Sequence, residues 1–186
     1  MLITLLELER EPLEFDVEIE PKIVDFGPEI EQKGPLFVAG RADLIEEHRG
    51  TREIVEDIRV RAKYQGKVDV ACARCLEPVE HSLEGEFDLI FRPLGIEDGD
   101  DHSISTSETE IGYYQKSGLV LEDVLREQVL LSLPARTLCR QDCKGLCPRC
   151  GQNLNSEACA CETAPVDPRW SALSGLSSSL RSRMKS

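Results

Sequence analysis

The sequence has no apolar run that approaches the roughly 20 residues of a membrane-spanning helix. Its amino terminus, MLITLLELEREP, has no basic start and no small-residue cleavage site, and Glu7 and Glu9 interrupt its apolar stretch, so a secretory signal is not predicted. We therefore expect a cytoplasmic protein with reduced cysteines and no disulfide framework. Aromatic residues make up only 5% of the chain, which predicts a modest apolar core.

Several metal-binding and catalytic patterns are also missing. The three histidines, His48, His81 and His102, do not have the spacing of a zinc finger built from two cysteines and two histidines. The His-x-Glu of the nucleobase deaminases is absent. Residues 98–101 are acidic but lack the frame of a calcium-binding loop. Cysteine is therefore the residue type that we expect to form a metal site.

Cysteine is abundant, with eight in 186 residues, and six of the eight lie in the stretch CRQDCKGLCPRCGQNLNSEACAC over residues 139–161. At its centre, Cys147-Pro-Arg-Cys150-Gly has the form of a zinc knuckle. In such a turn two thiolates point at one ion, and the glycine frees backbone amides to bond the sulfurs. Cys159 and Cys161 can supply the second pair of ligands, which completes a four-thiolate site.

A second four-thiolate site is predicted from the remaining cysteines. Cys72 and Cys75 form a Cys-x-x-Cys far upstream, and Cys139 and Cys143 are left over from the carboxy-terminal stretch. Two complete sets would bind two zinc ions, and the second set would link the middle of the chain to its end. A redox pair or plain buried thiols at Cys72 and Cys75 are the alternatives.

Two enzymatic interpretations have little support. The spacing Cys143-x3-Cys147-x2-Cys150 matches that of radical enzymes that use S-adenosylmethionine, but only 36 residues follow Cys150, too few for the barrel of those enzymes. A zinc hydrolase needs an open coordination position and a general base, which two complete thiolate sets do not provide. We therefore expect no enzymatic activity and no small-molecule substrate.

Charge divides the chain into an acidic body and a basic end. Residues 1–138 carry 15 lysines and arginines against 31 aspartates and glutamates, whereas residues 139–186 carry 7 against 4. A phosphate backbone repels the acidic part and could be approached by the basic part. We predict an acidic, β-rich body over residues 1–134, and a cysteine-rich zinc module with a basic tail over residues 135–186.

The fold class predicted for the body is α+β, with a mostly antiparallel β meander in a partly closed sheet. Segments of alternating apolar and polar residues begin at Leu13, Leu36, Ile54, Lys67 and Val79. A hairpin turn is predicted at Gln65-Gly66 and a bulge or bend at Gly85. Cys72 and Cys75 would then lie in a loop at the end of a strand.

One helix is predicted to cover this sheet, over residues 121–133. Its apolar residues share one face: Leu121, Val124, Leu125 and Val129. Pro134 ends the helix, which would bring Cys139 and Cys143 beside the loop of Cys72. His81 is interpreted as a partly buried strand residue, with a spare metal ligand as the alternative.

Two further segments are predicted from composition and capping signals. Residues 95–109 are rich in aspartate, serine and glycine and predict a surface loop. The zinc module is expected to be ribbon-like and to be followed by a helical tail, because Asp167-Pro168 is a helix start signal. The tail is basic and carries Trp170 on its apolar side, so it could dock on RNA or a partner protein; a frayed, solvated terminus is the alternative.

Two sequence motifs resemble those of a known family. Cys-x-Arg-Cys-Leu-x-Pro occupies residues 72–78, and Leu-Cys-x-x-Asp-Cys-x-Gly-Leu-Cys-Pro-x-Cys-Gly-x-Asn-Leu-Asn occupies residues 138–155, followed by Asp-Pro-Arg at 167–169. In order and spacing they resemble the YceD family, the large ribosomal RNA subunit accumulation family, over about residues 60–170. Trp170 stands where that family usually has leucine, a change that should keep an apolar anchor.

The resemblance implies a role in the accumulation of large-subunit ribosomal RNA, without an established reaction. We expect a non-enzymatic zinc protein of ribosome biogenesis that meets a basic ribosomal protein or an assembly factor. Contact with large-subunit rRNA would be limited to the basic carboxy-terminal end. The alternative function is a thiol redox or zinc-release sensor that uses Cys72 and Cys75.

Overall fold

The computed structural model describes residues 1–49, 53–94, 111–115 and 117–161. Within this part of the chain, no helix is long and apolar enough to cross a membrane. The predicted loop at 95–109 and the predicted helical tail lie outside the described residues.

The chain separates into two compact units, Met1–Cys143 and Lys144–Ser186. In chain order its elements are β1 (Leu2–Ile3), α1 (Leu5–Leu8), β2 (Leu13–Ile19), β3 (Ile30–Gln32), β4 (Leu36–Arg49), β5 (Glu53–Ala71), β6 (Pro78–Pro93), β7 (Ile111–Tyr114), β8 (Leu119–Val120) and α2 (Leu121–Ser132). All of them belong to the first unit, which is therefore mostly sheet with two helices.

Six strands form the main sheet, in the order β2-β4-β5-β6-β7, with β3 also paired to β5. These pairs are antiparallel except β6–β7, which is parallel. The prediction of a mostly antiparallel sheet is confirmed. The prediction of partial closure is wrong, because β2 and β7 lie at opposite ends of the strand order. The small sheet of β1 and β8 was not predicted.

Helix α2 packs on the apolar face of the main sheet, as its sequence predicts. The residues on its apolar side are buried: Leu121, Val124, Leu125 and Val129. They join one core cluster with inward-facing strand residues such as Val38, Val60 and Phe87. The Tyr64 hydroxyl donates a hydrogen bond to the Gln128 carbonyl at 3.3 Å, which ties the sheet to the helix.

Gly66 lies inside a continuous strand, so the hairpin turn predicted at Gln65-Gly66 is wrong. Strand β5 runs without interruption from Glu53 to Ala71, and Gln65 and Gly66 pair with Glu84 and Leu83 of β6. The glycine meets a packing requirement instead. A Cβ atom at this position would lie 2.6 Å from the Leu36 side chain.

Gly85 also pairs regularly, directly opposite Tyr64, where a bulge or bend was predicted. A Cβ atom at residue 85 would lie 2.5 Å from the Tyr64 ring, which sits over the glycine. The absence of a side chain here makes room for the ring between sheet and helix.

We expect Gly85→Ala to lower the free energy of unfolding by about 1–3 kcal/mol, because the tyrosine ring must leave its packed position. Urea unfolding followed by circular dichroism measures the change. Ser82→Ala, on the exposed face of the same strand, is the control and should change it by less than about 0.5 kcal/mol. An unchanged midpoint for the alanine variant at residue 85 would contradict the packing role.

At one end of the sheet both faces are buried. Val55 is fully buried, whereas Ile54, at which the alternating segment of the sequence begins, is 55% exposed. Beside Val55 lies a buried ion pair, in which Arg92 Nη2 is 2.9 Å from Asp57 Oδ2 and Arg92 Nε is 3.1 Å from Asp57 Oδ1. The two side chains are only 9% and 5% exposed.

Candidate metal centres

The first group of thiols belongs to the first unit and joins segments distant in sequence. Cys72 and Cys75 lie in the loop between β5 and β6, and Cys139 and Cys143 follow α2. The four sulfurs all lie within 4.8 Å of one another. Cys72 Sγ is 3.8 Å from Cys143 Sγ, and Cys75 Sγ is 3.5 Å from Cys139 Sγ. The structure thus brings together the four residues that the sequence assigned to a second site.

Backbone hydrogen bonds hold this group in place. The Cys72 amide donates to the Glu77 carbonyl, and the Ala73 amide donates to the Thr137 carbonyl, both at 2.9 Å. Arg74, inside the Cys-x-x-Cys, reaches across the loop and donates through Nη1 to the Cys143 carbonyl at 2.7 Å. The position of Arg74 between the two cysteines was the available signal for this role, which the sequence analysis did not assign.

His81 lies near the first group but is not part of it. Its Nε2 atom is 3.3 Å from the Thr137 hydroxyl oxygen. Neither group of potential metal ligands within the described part of the chain includes this histidine. Its half-buried position in β6 agrees with its interpretation as a strand residue.

The second group belongs to the second unit and comes from one short segment. The sulfurs of Cys147, Cys150, Cys159 and Cys161 also lie within 4.8 Å of one another. A short antiparallel bridge pairs Leu146 with Asn153 and folds the segment back. The Cys147 amide donates to the Gln152 carbonyl at 2.8 Å, which closes the turn that carries the first two thiols.

The two Cys-x-x-Cys turns share a backbone conformation. Leu76 and Gly151, each directly after the second cysteine, have φ angles of 62° and 74°. Each donates its amide hydrogen to the carbonyl of the first cysteine at 2.9 Å. Glycine adopts such an angle without strain, whereas leucine does so at a cost of order 1 kcal/mol or more. The first turn therefore keeps the knuckle geometry with a residue that disfavours it.

The sulfur positions fit a four-coordinate metal ion. Four sulfurs at about 2.3 Å from one zinc ion lie roughly 3.8 Å from one another in a tetrahedron. The measured separations of 3.5 and 3.8 Å in the first group are close to this value. They are far from the S–S bond of about 2.05 Å in a disulfide. Both groups could therefore hold a metal ion, and all eight cysteines predicted as ligands belong to them.

In each group the first cysteine of the turn has a lowered thiol pKa. The backbone amides of Cys139 and Cys75 lower the pKa of Cys72 to about 6. The backbone amides of Cys150 and Arg149 likewise lower the pKa of Cys147 to about 6. Metal ligation requires the thiolate form of cysteine. These backbone amides therefore favour the state that could bind a metal ion.

The ionisation of two other thiols would depend more on a bound metal ion. Contact with the Cys75 thiol raises the pKa of Cys139 to about 12. Contact with the Cys150 thiol raises the pKa of Cys161 to about 12 in the same way. Four crowded thiols cannot all ionise without a neutralising cation, which is what a divalent metal supplies.

The two groups differ in their access to solvent. In the first, Cys72, Cys75 and Cys143 are buried, at 0%, 4% and 3% exposure. In the second, Cys150 and Cys161 are exposed. Loss of an ion from the first group would therefore leave unpaired thiols in the interior of the body.

Comparison with protein families gives one match that covers most of the chain. The sequence profile described as "Large ribosomal RNA subunit accumulation protein YceD" matches residues 60–177. The match includes all eight cysteines, β6, α2 and most of β5. No solved structure matches this chain.

Individual relatives are found in mycobacteria. Uncharacterized proteins of Mycobacterium tuberculosis and Mycobacterium bovis are each 37% identical over 103 residues, which cover 55% of this chain and 47% of each relative. An uncharacterized protein of Mycobacterium leprae is 27% identical over 124 residues, 66% of this chain and 54% of the relative. The chain thus spans about half the length of the relatives it matches.

Proposed function

Since the chain belongs to the YceD family of large ribosomal RNA subunit accumulation proteins, we propose that it is a non-enzymatic zinc protein of ribosome biogenesis. It acts in the cytoplasm and supports the accumulation of large-subunit rRNA. It does so by docking to a ribosomal protein, an assembly factor or the precursor rRNA. The observation that carries the proposal is the pair of four-thiolate groups within the matched residues.

The donor set favours zinc over other common ions. Thiolates are soft ligands that select zinc, copper(I) or iron, and four of them in a tetrahedron are typical of structural zinc. Four protein ligands also complete the coordination shell, so no position is left for a water molecule or substrate. A role in folding therefore suits these groups better than a role in catalysis.

Charge supports a basic protein as the docking partner. The first 138 residues carry about twice as many acidic as basic residues. This charge favours a partner with a positively charged surface. Any contact with rRNA is assigned to the basic carboxy-terminal end, whose residues after 161 lie outside the described part of the chain. The acidic body would then hold the partner protein while this end lies near the RNA.

Deletion of the gene tests the proposed role directly. We expect the amount of large-subunit rRNA to fall relative to small-subunit rRNA, measured by gel analysis of total RNA at equal growth phase. A plasmid copy of the wild-type chain should restore the ratio, and a copy with Cys72→Ser and Cys75→Ser should not. An unchanged ratio in the deletion strain would refute the proposal.

The redox or zinc-release sensor is the second candidate. The lowered pKa of Cys72, about 6, favours it because thiolates are the reactive form. The burial of Cys72 and Cys75 opposes it, since an oxidant must reach the sulfur. A reversible disulfide between these two residues after mild peroxide treatment, with release of metal, would support the sensor.

A further inference from the structure

The face of the main sheet opposite α2 carries a regular array of side chains. The strand register places them in three rows that each cross β2, β4, β5 and β6. The rows are Glu14–Arg41–Arg61–Asp88, Asp16–Ala39–Lys63–Glu86 and Glu18–Phe37–Gln65–Glu84. All twelve residues are exposed, and we call them the array face. Acidic residues form its two outer columns, on β2 and β6.

The middle of the array face is a surface depression. A cavity of about 690 Å³ lies over it, lined among others by Asp16, Phe37, Ala39, Lys63 and Glu84. Ala39 is short, so the longer side chains around it stand higher than the floor. Phe37 is 42% exposed, which is unusual for phenylalanine on a strand with a well-packed opposite face. The array face therefore offers a concave surface with an accessible aromatic ring.

The cations of the array face already have partners within the fold. Lys63 Nζ is 3.5 Å from Glu86 Oε2. Arg41 Nε and Arg61 Nη2 are each 2.7 Å from an oxygen of Asp43. Intramolecular ion pairs thus occupy the positive charges, and they leave little to attract an anion.

Four of the carboxylates have no ion-pair or hydrogen-bond partner among the described residues. They are the β2 column and one member of the β6 column: Glu14, Asp16, Glu18 and Glu84. Within the array face, six carboxylates stand against three cations. The surface therefore offers carboxylate hydrogen-bond acceptors that lack donors within the described part of the fold. Its negative electrostatic potential repels phosphate groups.

We propose that the array face is a docking surface for an arginine-rich extended segment of a protein partner. The guanidinium group of arginine stacks on an aromatic ring and bonds carboxylates in a fork, so it suits Phe37 with Glu18 beside it and Glu84 in the same row. This docking surface would serve the proposed function. Only the class of partner protein that carries the arginine-rich segment rests on that function.

The spacing of the carboxylates suits an extended partner. Glu14, Asp16 and Glu18 alternate along β2, so neighbouring side chains are about 7 Å apart. An extended chain has the same repeat, and arginines at every second position would each meet one carboxylate. A helix repeats along one face at about 6 Å, so it matches this interval less closely over three carboxylates.

Binding to a synthetic peptide tests the array face on the purified full chain. The probe is a fluorescein-labelled peptide of about twelve residues with alternating arginine and serine, and fluorescence anisotropy measures its Kd. We expect the triple variant Asp16→Asn, Glu18→Gln, Glu84→Gln to raise the Kd by about 10-fold or more, because charge pairs steer and hold the peptide. Phe37→Ala should raise it by about 3-fold, since it removes the stacking surface.

A charge-matched triple variant separates this site from a general effect of net charge. Glu9→Gln, Asp123→Asn and Glu127→Gln also remove three negative charges at exposed positions, two of them on α2, which lies on the opposite side of the sheet. We expect this control to change the Kd by less than about 2-fold. An equal loss in both triple variants would overturn the proposal, because attraction would then be non-specific. The mutated side chains are exposed, so unchanged melting temperatures should show that all variants fold.

Two further probes identify the ligand class. A peptide with lysine in place of arginine should bind more weakly and lose less affinity on Phe37→Ala, because lysine stacks less well on a ring. Single-stranded oligouridine should not compete with the arginine peptide, and competition abolished by the array-face variants would overturn the assignment to protein. Failure of the peptide to bind, together with the expected fall in large-subunit rRNA on deletion of the gene, would refute the array face alone. Peptide binding with unchanged rRNA would refute the proposed function alone.

Discussion

Replacement of Cys72 by serine is expected to remove one of two zinc ions per chain and to destabilise the body by about 3 kcal/mol or more. Cys72 is fully buried, and its sulfur accepts the Cys139 amide at 3.4 Å. Without its thiolate a bound ion would lose a ligand, and the metal link between the β5–β6 loop and the segment after α2 would be lost. The buried thiols that remain would be crowded and unneutralised, which adds to the loss.

Elemental analysis and urea unfolding of the same samples measure both parts of this prediction. Wild-type chain should contain two zinc ions, and the serine variant at residue 72 should contain one. Cys150→Ser is the matched control, because its thiol belongs to the second compact unit. It should also lose one ion, with the unfolding midpoint of the body unchanged. If the serine variant at residue 72 kept both ions, the grouping of the ligands would be wrong.

Replacement of Asp57 by alanine is expected to lower the free energy of unfolding by about 3–5 kcal/mol, because it removes a buried carboxylate that bonds the Arg92 guanidinium through two nitrogen atoms. The pair makes two hydrogen bonds, at 2.9 and 3.1 Å, in a part of the sheet where water has little access. Low effective dielectric makes the loss of an opposite charge beside a buried guanidinium costly there. Thermal and urea unfolding of the variant measure the effect.

The exposed pair of Arg59 and Asp88 is the natural control, since it joins the same two strands with the same two-pronged geometry. Its distances are 2.7 and 2.6 Å, but its side chains are 40% and 47% exposed. Asp88→Ala should therefore cost less than about 1 kcal/mol. An equal loss in the free energy of unfolding at the two sites would show that burial does not determine how much these ion pairs stabilise the fold. The double variant Asp57→Leu, Arg92→Met should recover most of the stability, because no charge then remains buried.

Local spacing and an even number of thiols favoured two groups of four cysteines, and the structure brings the cysteines together in the same two groups. The pair at residues 147 and 150 marks one knuckle, and the only other Cys-x-x-Cys marks the second. Cys139 and Cys143 follow helix α2 and were assigned to the group of Cys72. Cys159 and Cys161 follow the carboxy-terminal knuckle and were assigned to it. Helix α2 was predictable for a similar reason, since its apolar face and its terminal proline are local signals.

The details of the sheet could not be predicted from local signals. Gly66 and Gly85 looked like a turn and a bulge, yet both serve packing against side chains that are distant in sequence, Leu36 and Tyr64. The burial of Asp57 depends on an arginine 35 residues away. The parallel β6–β7 pair likewise follows a connection whose path no period in the sequence specifies. Tertiary contacts decided each of these features.

The first thiol group also imposes an order on folding. Its sulfurs come from residues separated by 71 and 64 positions, whereas the second group comes from one short segment. Each doubling of the length of a closed loop costs about 0.6 kcal/mol more in chain entropy. The second group, which closes only a short loop, can therefore assemble more readily than the first. A chain is synthesised from its amino end, so a metal ion at the first group could not gain all four thiolates until β6 and α2 have been made. Metal uptake at that group would therefore mark a body whose synthesis is complete.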